Sequence, residues 1–438
     1  MEISRRRVLQ AGVATGATAI AAACAPPPAR KPPVTAPATS PTTVGAGPTI
    51  DTVVVVLADD MRFDYLGELT AMDAEWITCV SAAIETPMCG PSRAAMFRGE
   101  YSARTGVNGN SQTMNMDDSD TIATRIHAAG WRTVLAGKYL NDYPWTRGGH
   151  YVPPGWDAWY AAGGASFGAP GVDDTDFIFQ VANQEIRATP ANRRLFCWIA
   201  PLSPHLPARP PARYADAQPP LPPVAPSFNE ADVSDKPPQK RLPLLTAAEI
   251  TAVQQERLQT GRSLLGVNDG LVALKATLAA TGRLDSSVIV FLSDNGFLFG
   301  EHRMVKKGEP YEEASRVPFT VRWAGTPGRT EGNAISSVDL SATVCALAGT
   351  QPPGHDGLDL TPLLRGGRSV RDAAYIEPPG SGWDALRTPT FKYVEYGTGD
   401  RELYDLAHDP FEMQNLAHVP AQAPTVASLS ARLAQLRP

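Results

Sequence analysis

Apolar and polar positions divide this chain into stretches of different kinds. Four short runs are apolar without alternation: Thr52 to Leu57, Thr133 to Ala136, Leu195 to Ile199 and Val288 to Leu292. Unbroken Val, Ile, Leu and Phe suit strands buried on both faces, the condition of a parallel sheet with helices on either side. From Ala247 to Gly282 the apolar residues recur at helical spacing instead, at Val253, Leu258, Leu264, Leu265, Val267, Leu271, Leu274 and Leu278. That spacing predicts one or two helices covering the sheet, with Gly282 as the stop. The proline-rich stretch from Pro204 to Pro243 reads as a surface excursion bordering a cleft rather than a domain break. The predicted class is α/β, a three-layer sandwich around a large, mostly parallel sheet.

Each apolar run is followed closely by polar residues: Asp59-Asp60, Lys138, His205 and Asp294-Asn295. Ligands of such sheets bind beyond the carboxyl ends of the strands, so these clusters are expected to converge on one edge. Asp59, Asp60, Asp294 and Asn295 offer only oxygen ligands, which suits calcium or magnesium rather than zinc.

The amino-terminal end adds a destination. Ser4-Arg5-Arg6-Arg7-Val8-Leu9-Gln10 precedes a small-residue apolar run from Ala11 to Ala23, and then Cys24. Residues 1–24 resemble a twin-arginine export signal ending in a lipoprotein cleavage site, although Ala21 stands where such sites usually carry Leu. The run is too short to span a bilayer as a helix. The resemblance implies export to the cell envelope and a lipid on Cys24 that anchors the protein to the membrane. Residues 25–48 are dominated by Pro, Ala and Thr, cannot bury enough apolar surface to fold, and read as an extended tether. A net charge of −6 leaves no basic footprint for nucleic acid.

The most specific segment is Cys89-Gly90-Pro91-Ser92-Arg93-Ala94-Ala95-Met96-Phe97-Arg98-Gly99. Pro91 fits the first turn of a helix and Gly99 its stop, which puts Cys89 at a helix N-terminus where free N–H groups favour anions. Arg93 brings a permanent charge to the same end. An isolated cysteine is most often a small buried hydrophobe. Here, however, the whole pattern C-x-P-S-R-x-x-x-F-x-G resembles the activation motif of type I sulfatases, members of the alkaline phosphatase superfamily.

That resemblance implies a specific chemistry. Cys89 would be converted to formylglycine by a formylglycine-generating enzyme. Asp59, Asp60, Asp294, Asn295 and the oxygen at position 89 would bind calcium, or magnesium in its place. Lys138 in Gly137-Lys138-Tyr139-Leu140-Asn141, Lys307 in Lys307-Gly308-Glu309-Pro310-Tyr311, and His205 in Pro204-His205-Leu206-Pro207 match positions that hold the sulfate or the formylglycine hydroxyl. With Cys89 and Arg93 they make up the expected catalytic set. Setting aside Cys24 and Cys89 leaves Cys79, Cys197 and Cys345, an odd number, so disulfides do not organise this fold.

One departure stands out. Many sulfatases carry a histidine two residues after the first lysine, where this chain has Leu140 followed by Asn141. The Gly-Lys-Tyr-Leu-Asn version is similar to the branch containing N-acetylglucosamine-6-sulfatases. His302 is a candidate substitute base or a rim or structural residue, and His127 reads as structural. The resemblance continues through Arg387–Tyr393, Glu402–Leu406, Asp409-Pro410 and Asn415-Leu416. It implies a catalytic domain over 49–365 and a C-terminal subdomain over 366–438, a small antiparallel sheet with a terminal helix. The expected substrate is an aryl or carbohydrate sulfate ester. The alternatives are a phosphoester or phosphonate hydrolase using the same aldehyde, and a non-catalytic binding lipoprotein with Cys89 unmodified, against which stands the complete set of charged residues.

Overall fold

The unbroken apolar runs form the middle of an eight-stranded sheet. In chain order its strands are β1 (Thr52–Ala58), β2 (Trp76–Cys79), β3 (Arg132–Lys138), β4 (Ala158–Ala162), β5 (Leu195–Ala200), β6 (Ser287–Ser293), β7 (Phe319–Trp323) and β8 (Arg329–Glu331). The spatial order is β8-β2-β7-β6-β1-β5-β3-β4. β1 lies parallel between β5 and β6, with Val54 opposite Cys197 and Ile289. Only β7 opposes its neighbours β2 and β6. These details come from a computed structural model that describes residues 49–142, 151–162 and 174–438. The export segment, the tether and Cys24 lie outside those residues.

Side-chain alternation along β1 explains why the run is apolar throughout. Val53, Val55 and Leu57 face one core with Met96, Phe97, Leu340 and Val344. Val54, Val56 and Ala58 face the other, with Ile178, Phe179, Leu264 and Leu271. Fully burying one such valine contributes about 1.5–3 kcal/mol, so both faces of the strand select against polar residues. The first core is closed by α1 (Cys89–Arg98), α2 (Ile122–Ala128) and, later in the chain, a helix at Asp339–Ala348. The second is closed by α3 (Asp174–Ala188) and α4 (Ala247–Ala280).

α4 is a single helix. A capping box opens it: the Thr246 hydroxyl accepts the Glu249 N–H, and the Glu249 carboxylate accepts the Thr246 N–H at 2.7 Å. Its internal glycines are sites of close approach rather than breaks. A Cβ on Gly270 would lie 2.1 Å from the Phe179 ring, and one on Gly266 would lie 2.7 Å from Pro211. The proline-rich excursion therefore lies directly against this helix. Leu258 and Leu265 are only half-buried, while Val253, Leu264, Val267, Leu271, Leu274 and Leu278 are core.

A second, antiparallel sheet follows: β9 (Ala374–Ile376), β10 (Trp383–Arg387), β11 (Phe391–Tyr396) and β12 (Arg401–Asp405), in that spatial order. The terminal helix Ala423–Leu436 packs Val426 and Leu433 against Leu386, Tyr393 and Leu403. No helix among the described residues is long and apolar enough to cross a membrane. The four described cysteines are all free and buried.

Candidate functional site

The carboxyl ends of β1, β3, β5 and β6 meet at one edge and are fastened to each other there. The Asp294 N–H donates to the Ala58 carbonyl at 3.1 Å, and the Asp60 N–H donates to Asp294 Oδ1 at 3.1 Å. Ser293 Oγ accepts the Met61 N–H at 2.8 Å, and the Ser203 carbonyl accepts the Asp59 N–H at 3.3 Å. Asp60 has a φ of 67°, a left-handed conformation uncommon outside glycine that occurs preferentially where function constrains the chain. Gly137, immediately before Lys138, is required by crowding. A Cβ there would sit 2.0 Å from the Ala200 carbonyl oxygen of β5.

α1 enters this edge with Cys89 as its first residue. Met88 is extended and Gly99 closes the helix in the left-handed region, so the segment is a single well-bounded element. The Gly90 N–H, one of the donors left over at the helix start, is held by Asn110 Oδ1 at 2.8 Å. Cys89 is fully buried. Its Sγ lies 3.4 Å from Asp59 Oδ1 and 3.5 Å from Asp60 Oδ1, and accepts from Lys307 Nζ at 2.7 Å.

Cations surround the acids. Lys138 Nζ donates to Asp59 Oδ2 at 2.6 Å, and Lys307 Nζ also donates to Asp60 Oδ1. Arg93 donates through Nε to Asp294 Oδ2 at 2.7 Å and through Nη1 to the Lys138 carbonyl at 2.8 Å, while its Nη2 lies 3.8 Å from Asp59 Oδ2. His205 Nε2 is 3.6 Å from Asp60 Oδ2. Burial works to raise the Asp59 pKa, yet Lys138 and Arg93 outweigh it and hold the carboxyl at about 2. Burial pushes the Cys89 thiol far above its usual range, and Asp294 adds to this.

The donor set fits a divalent cation. Asp59, Asp60, Cys89 and His205 offer ligand atoms within 4.8 Å of one another. Asn295 donates through Nδ2 to Asp60 Oδ1 at 2.7 Å and leaves its own Oδ1 buried without a donor. An orphaned amide oxygen beside three carboxylates is the arrangement a cation with oxygen preference satisfies. Asp294 joins from the far side, with its two oxygens taken by the Asp60 N–H and by Arg93.

A cleft of about 320 Å³ opens over this edge, with Asp59, Lys138 and His205 on its floor and Asn141, Asp142, Asp174 and Arg209 on its walls. Leu206 and Pro207, from the proline-rich excursion, also border it. The residues expected at the site, Asp59, Asp60, Cys89, Arg93, Lys138, His205, Asp294, Asn295 and Lys307, are thus brought together. Asn110, Ser203 and the wall residues were not anticipated. Asn110, in a 3-10 turn, accepts the Gly90 N–H through its side chain, and Ser203 accepts the Asp59 N–H through its carbonyl; neither belongs to a motif.

His302 goes elsewhere. It is fully buried, with Nδ1 2.7 Å from Glu230 Oε2 and its ring 4.3 Å from that of Tyr311, and it lines no part of the cleft. Around it lies a second charged cluster in which Lys392 Nζ sits 2.8 Å from Glu312 Oε1 and 3.1 Å from Glu412 Oε1. Arg387 pairs with Glu312, and Lys236 lies 3.7 Å from Glu230. Burial holds the His302 imidazole neutral, aided by Lys236 and Lys392, and its bond to Glu230 joins the Gly300–Glu313 segment to the proline-rich excursion. His127 is half-exposed and pairs with Asp157 at 3.3 Å.

The "Sulfatase" family model matches residues 51–350, and the model "N-sulphoglucosamine sulphohydrolase, C-terminal" matches residues 300–438. An arylsulfatase of Volvox carteri is 28% identical over 76% of this chain and 65% of its own length. Human N-acetylglucosamine-6-sulfatase is 28% identical over 77% of this chain and 69% of its own length. The chain thus spans about two thirds of these relatives. Among solved structures, BT4656 in complex with D-glucosamine-2-N,6-O-disulfate superposes with a TM-score of 0.72 at 21% identity, covering 89% of this chain and 97% of that one. The phosphonate monoester hydrolase of Agrobacterium radiobacter does so with 0.72 at 22% identity, covering 88% and 95%. At such identities these structures speak for the fold.

Proposed function

Since the chain belongs to the sulfatase family, we propose that it is a sulfuric ester hydrolase acting on carbohydrate or small-molecule sulfate esters. The observation that carries this reading is the position of Cys89, at the start of α1, against Asp59, Asp60 and Lys307 at one sheet edge. We take Cys89 as the site of formylglycine, made by a formylglycine-generating enzyme. The hydrated aldehyde would supply one hydroxyl that attacks sulfur and a second that releases sulfate. Asp59, Asp60, Asp294, Asn295 and the oxygen at position 89 would hold calcium, or magnesium, which supplies Lewis-acid stabilisation of the sulfate oxygens.

The remaining steps belong to the chain's own side chains. Lys138 and His205 on the cleft floor, and Lys307 beside Cys89, would offset charge that grows in the transition state, an electrostatic stabilisation that usually dominates catalysis of such transfers. Arg93 holds Asp294 in place through its Nε. The leaving alcohol oxygen takes its proton from His205 Nε2 or Lys307 Nζ, the two donors beside Asp60. Residues 49–365 would form the catalytic domain and 366–438 the subdomain. The twin-arginine segment would export the protein and a lipid on Cys24 would retain it at the membrane.

Peptide mass spectrometry across Cys89, on protein from a host with a formylglycine-generating enzyme, is expected to find the aldehyde in place of the thiol. Intact thiol together with no sulfatase activity would overturn the mechanism. The fold shared with a phosphonate monoester hydrolase keeps a second reading in play. Parallel turnover of aryl sulfate, phosphate and phosphonate separates the two, and faster cleavage of the phosphorus esters would favour the second.

A further inference from the structure

The buried cluster around His302 holds side-chain atoms that nothing in the fold satisfies. His302 stands in the turn between the short strands Leu298–Phe299 and Val305–Lys306, with φ 52° in the left-handed region. Its Nδ1 faces Glu230 Oε2 at 2.7 Å, which places the ring proton there and leaves Nε2 as an acceptor without a partner. Glu313, in the short helix Glu312–Ser315, accepts from Ser227 Oγ through Oε1 at 3.4 Å and has no donor at Oε2. Glu412 lies beyond β12, with φ 53°. Its Oε2 accepts the Glu312 N–H at 2.6 Å, while its Oε1 makes no hydrogen bond and has the Lys392 ammonium 3.1 Å away. All three side chains are buried, and a ring nitrogen of His302 and one oxygen each of Glu313 and Glu412 lie within 4.8 Å of one another. Each shielded acceptor left unpaired costs about 1–3 kcal/mol, and here three of them converge. The neighbouring cations are committed elsewhere. Arg387 and Arg316 pair with Glu312, Lys392 is shared between Glu312 and Glu412, and Lys236 donates to the Glu412 carbonyl at 2.8 Å.

We propose that His302, Glu313 and Glu412 form a second metal site, separate from the one beside Cys89, and that it takes a zinc ion. One imidazole nitrogen with two carboxylate oxygens is a zinc donor set, whereas calcium and magnesium take oxygen ligands. A carboxylate on the far nitrogen of the ring, here Glu230, is the usual support of a zinc-bound histidine and fixes the ring that presents Nε2. The ligands come from the Gly300–Met304 turn, from the helix at Glu312 and from the chain beyond the second sheet, so the ion fastens that sheet to the main one. It takes the place of the protons that otherwise neutralise this excess of acid. The site lines no part of the cleft, which gives the ion a structural role and makes its presence independent of the sulfatase reading.

The test is metal analysis of the full chain, produced in zinc-supplemented medium and purified without chelator. It is made in an Asp60→Asn, Cys89→Ser background, so that zinc caught at the first site is not counted. Elemental analysis is expected to find about one zinc per chain there, and His302→Gln and Glu313→Gln should each lower zinc affinity by at least about 100-fold. X-ray absorption at the zinc edge needs no variant at the second site. It should fit an imidazole nitrogen with carboxylate oxygens and no sulfur, and it decides alone if the glutamine variants do not fold. Folded protein without zinc overturns the proposal, and a cluster filled by water or by shared protons gives that result. Zinc retained by both glutamine variants, or a sulfur ligand in the absorption spectrum, overturns it as well.

Discussion

Two of the clusters of buried charge among the described residues lie around Cys89 and around His302. Asp59, Asp60 and Asp294 meet Arg93, Lys138 and Lys307 in the first. Glu312 and Glu412 meet Lys392 and Arg387 in the second, with Glu230 beside Lys236. Both are shielded from water, and both shift the titration of their members. What separates them is placement. The first stands at the ends of parallel strands beneath a cleft, with the Asn295 Oδ1 left for a ligand. The second has no part in that cleft and joins one segment of the chain to another. Perturbed ionisation alone would have marked either as a site; access and sheet position choose between them.

Arg387 and Lys392 hold Glu312 of the second cluster low, as cations hold Asp59, but other acids of that cluster shift the opposite way. Asp59 prefers its charged form, at about 2. Burial, with Glu301 nearby, pushes the Glu313 carboxyl up to about 8, and burial brings Glu230 and Glu412 to about 7. The first cluster is organised by cations around acids. The second holds more acid than its cations satisfy, and relieves the excess with protons.

Substitutions can break this comparison, the largest effect first. Cys89→Ala should lower kcat/KM by at least about 10⁴-fold while circular dichroism reports a folded protein; retained turnover would remove Cys89 from the chemistry. In the second cluster Lys392→Met leaves Glu312 and Glu412 with less compensation and should cost about 3–5 kcal/mol in denaturant unfolding. The folded fraction of that variant should keep its kcat within about twofold, and a specific loss of kcat would merge the two clusters functionally. Lys138→Met in the first cluster should cost about 10²–10³ in kcat, measured on a soluble sulfate ester, with a smaller change in stability. The smallest effect sharpens the contrast in sign. Glu313 binds a proton in the fold that the unfolded chain releases above its ordinary value of 4.5. Its contribution is therefore favourable at acid pH and declines as pH rises towards about 8. Glu313→Gln should flatten that decline by on the order of 2 kcal/mol between pH 5 and 8. Asp59 has the reverse sign: its contribution is present above 3.8 and is lost as pH falls through about 2.

Much of this was legible before any coordinate. β1, β3, β5 and β6 announce themselves because a strand covered on both faces has no polar position to offer. The strands beyond β6 do not. β7 reads Phe319-Thr320-Val321-Arg322-Trp323, an alternation expected of a half-exposed strand, yet all five are buried. Arg322 is accommodated by Glu75 at 2.7 Å and the Leu284 carbonyl at 3.0 Å, partners far away in sequence. At the site, Asp59, Asp60, Lys138 and Asp294 follow strands directly and could be read as a group. Asn110 could not, since its role is a single bond to a main-chain N–H twenty residues earlier. His302 was ambiguous for the same reason: a histidine near a lysine motif looks available until its neighbours Glu230 and Tyr311 are known.

By itself the sequence determined the layers of the fold, the helix start that carries Cys89 and the list of charged groups available to it. Each depends on local periodicity, backbone preference or the order of a motif, and these are written along the chain. The tertiary structure alone decided which acid meets which cation, which histidine reaches the cleft, and which amide oxygens are left without a donor. Those outcomes depend on distances of about 3 Å between residues hundreds of positions apart. Such distances are set by how the helices and the second sheet pack, and no single stretch of sequence contains them.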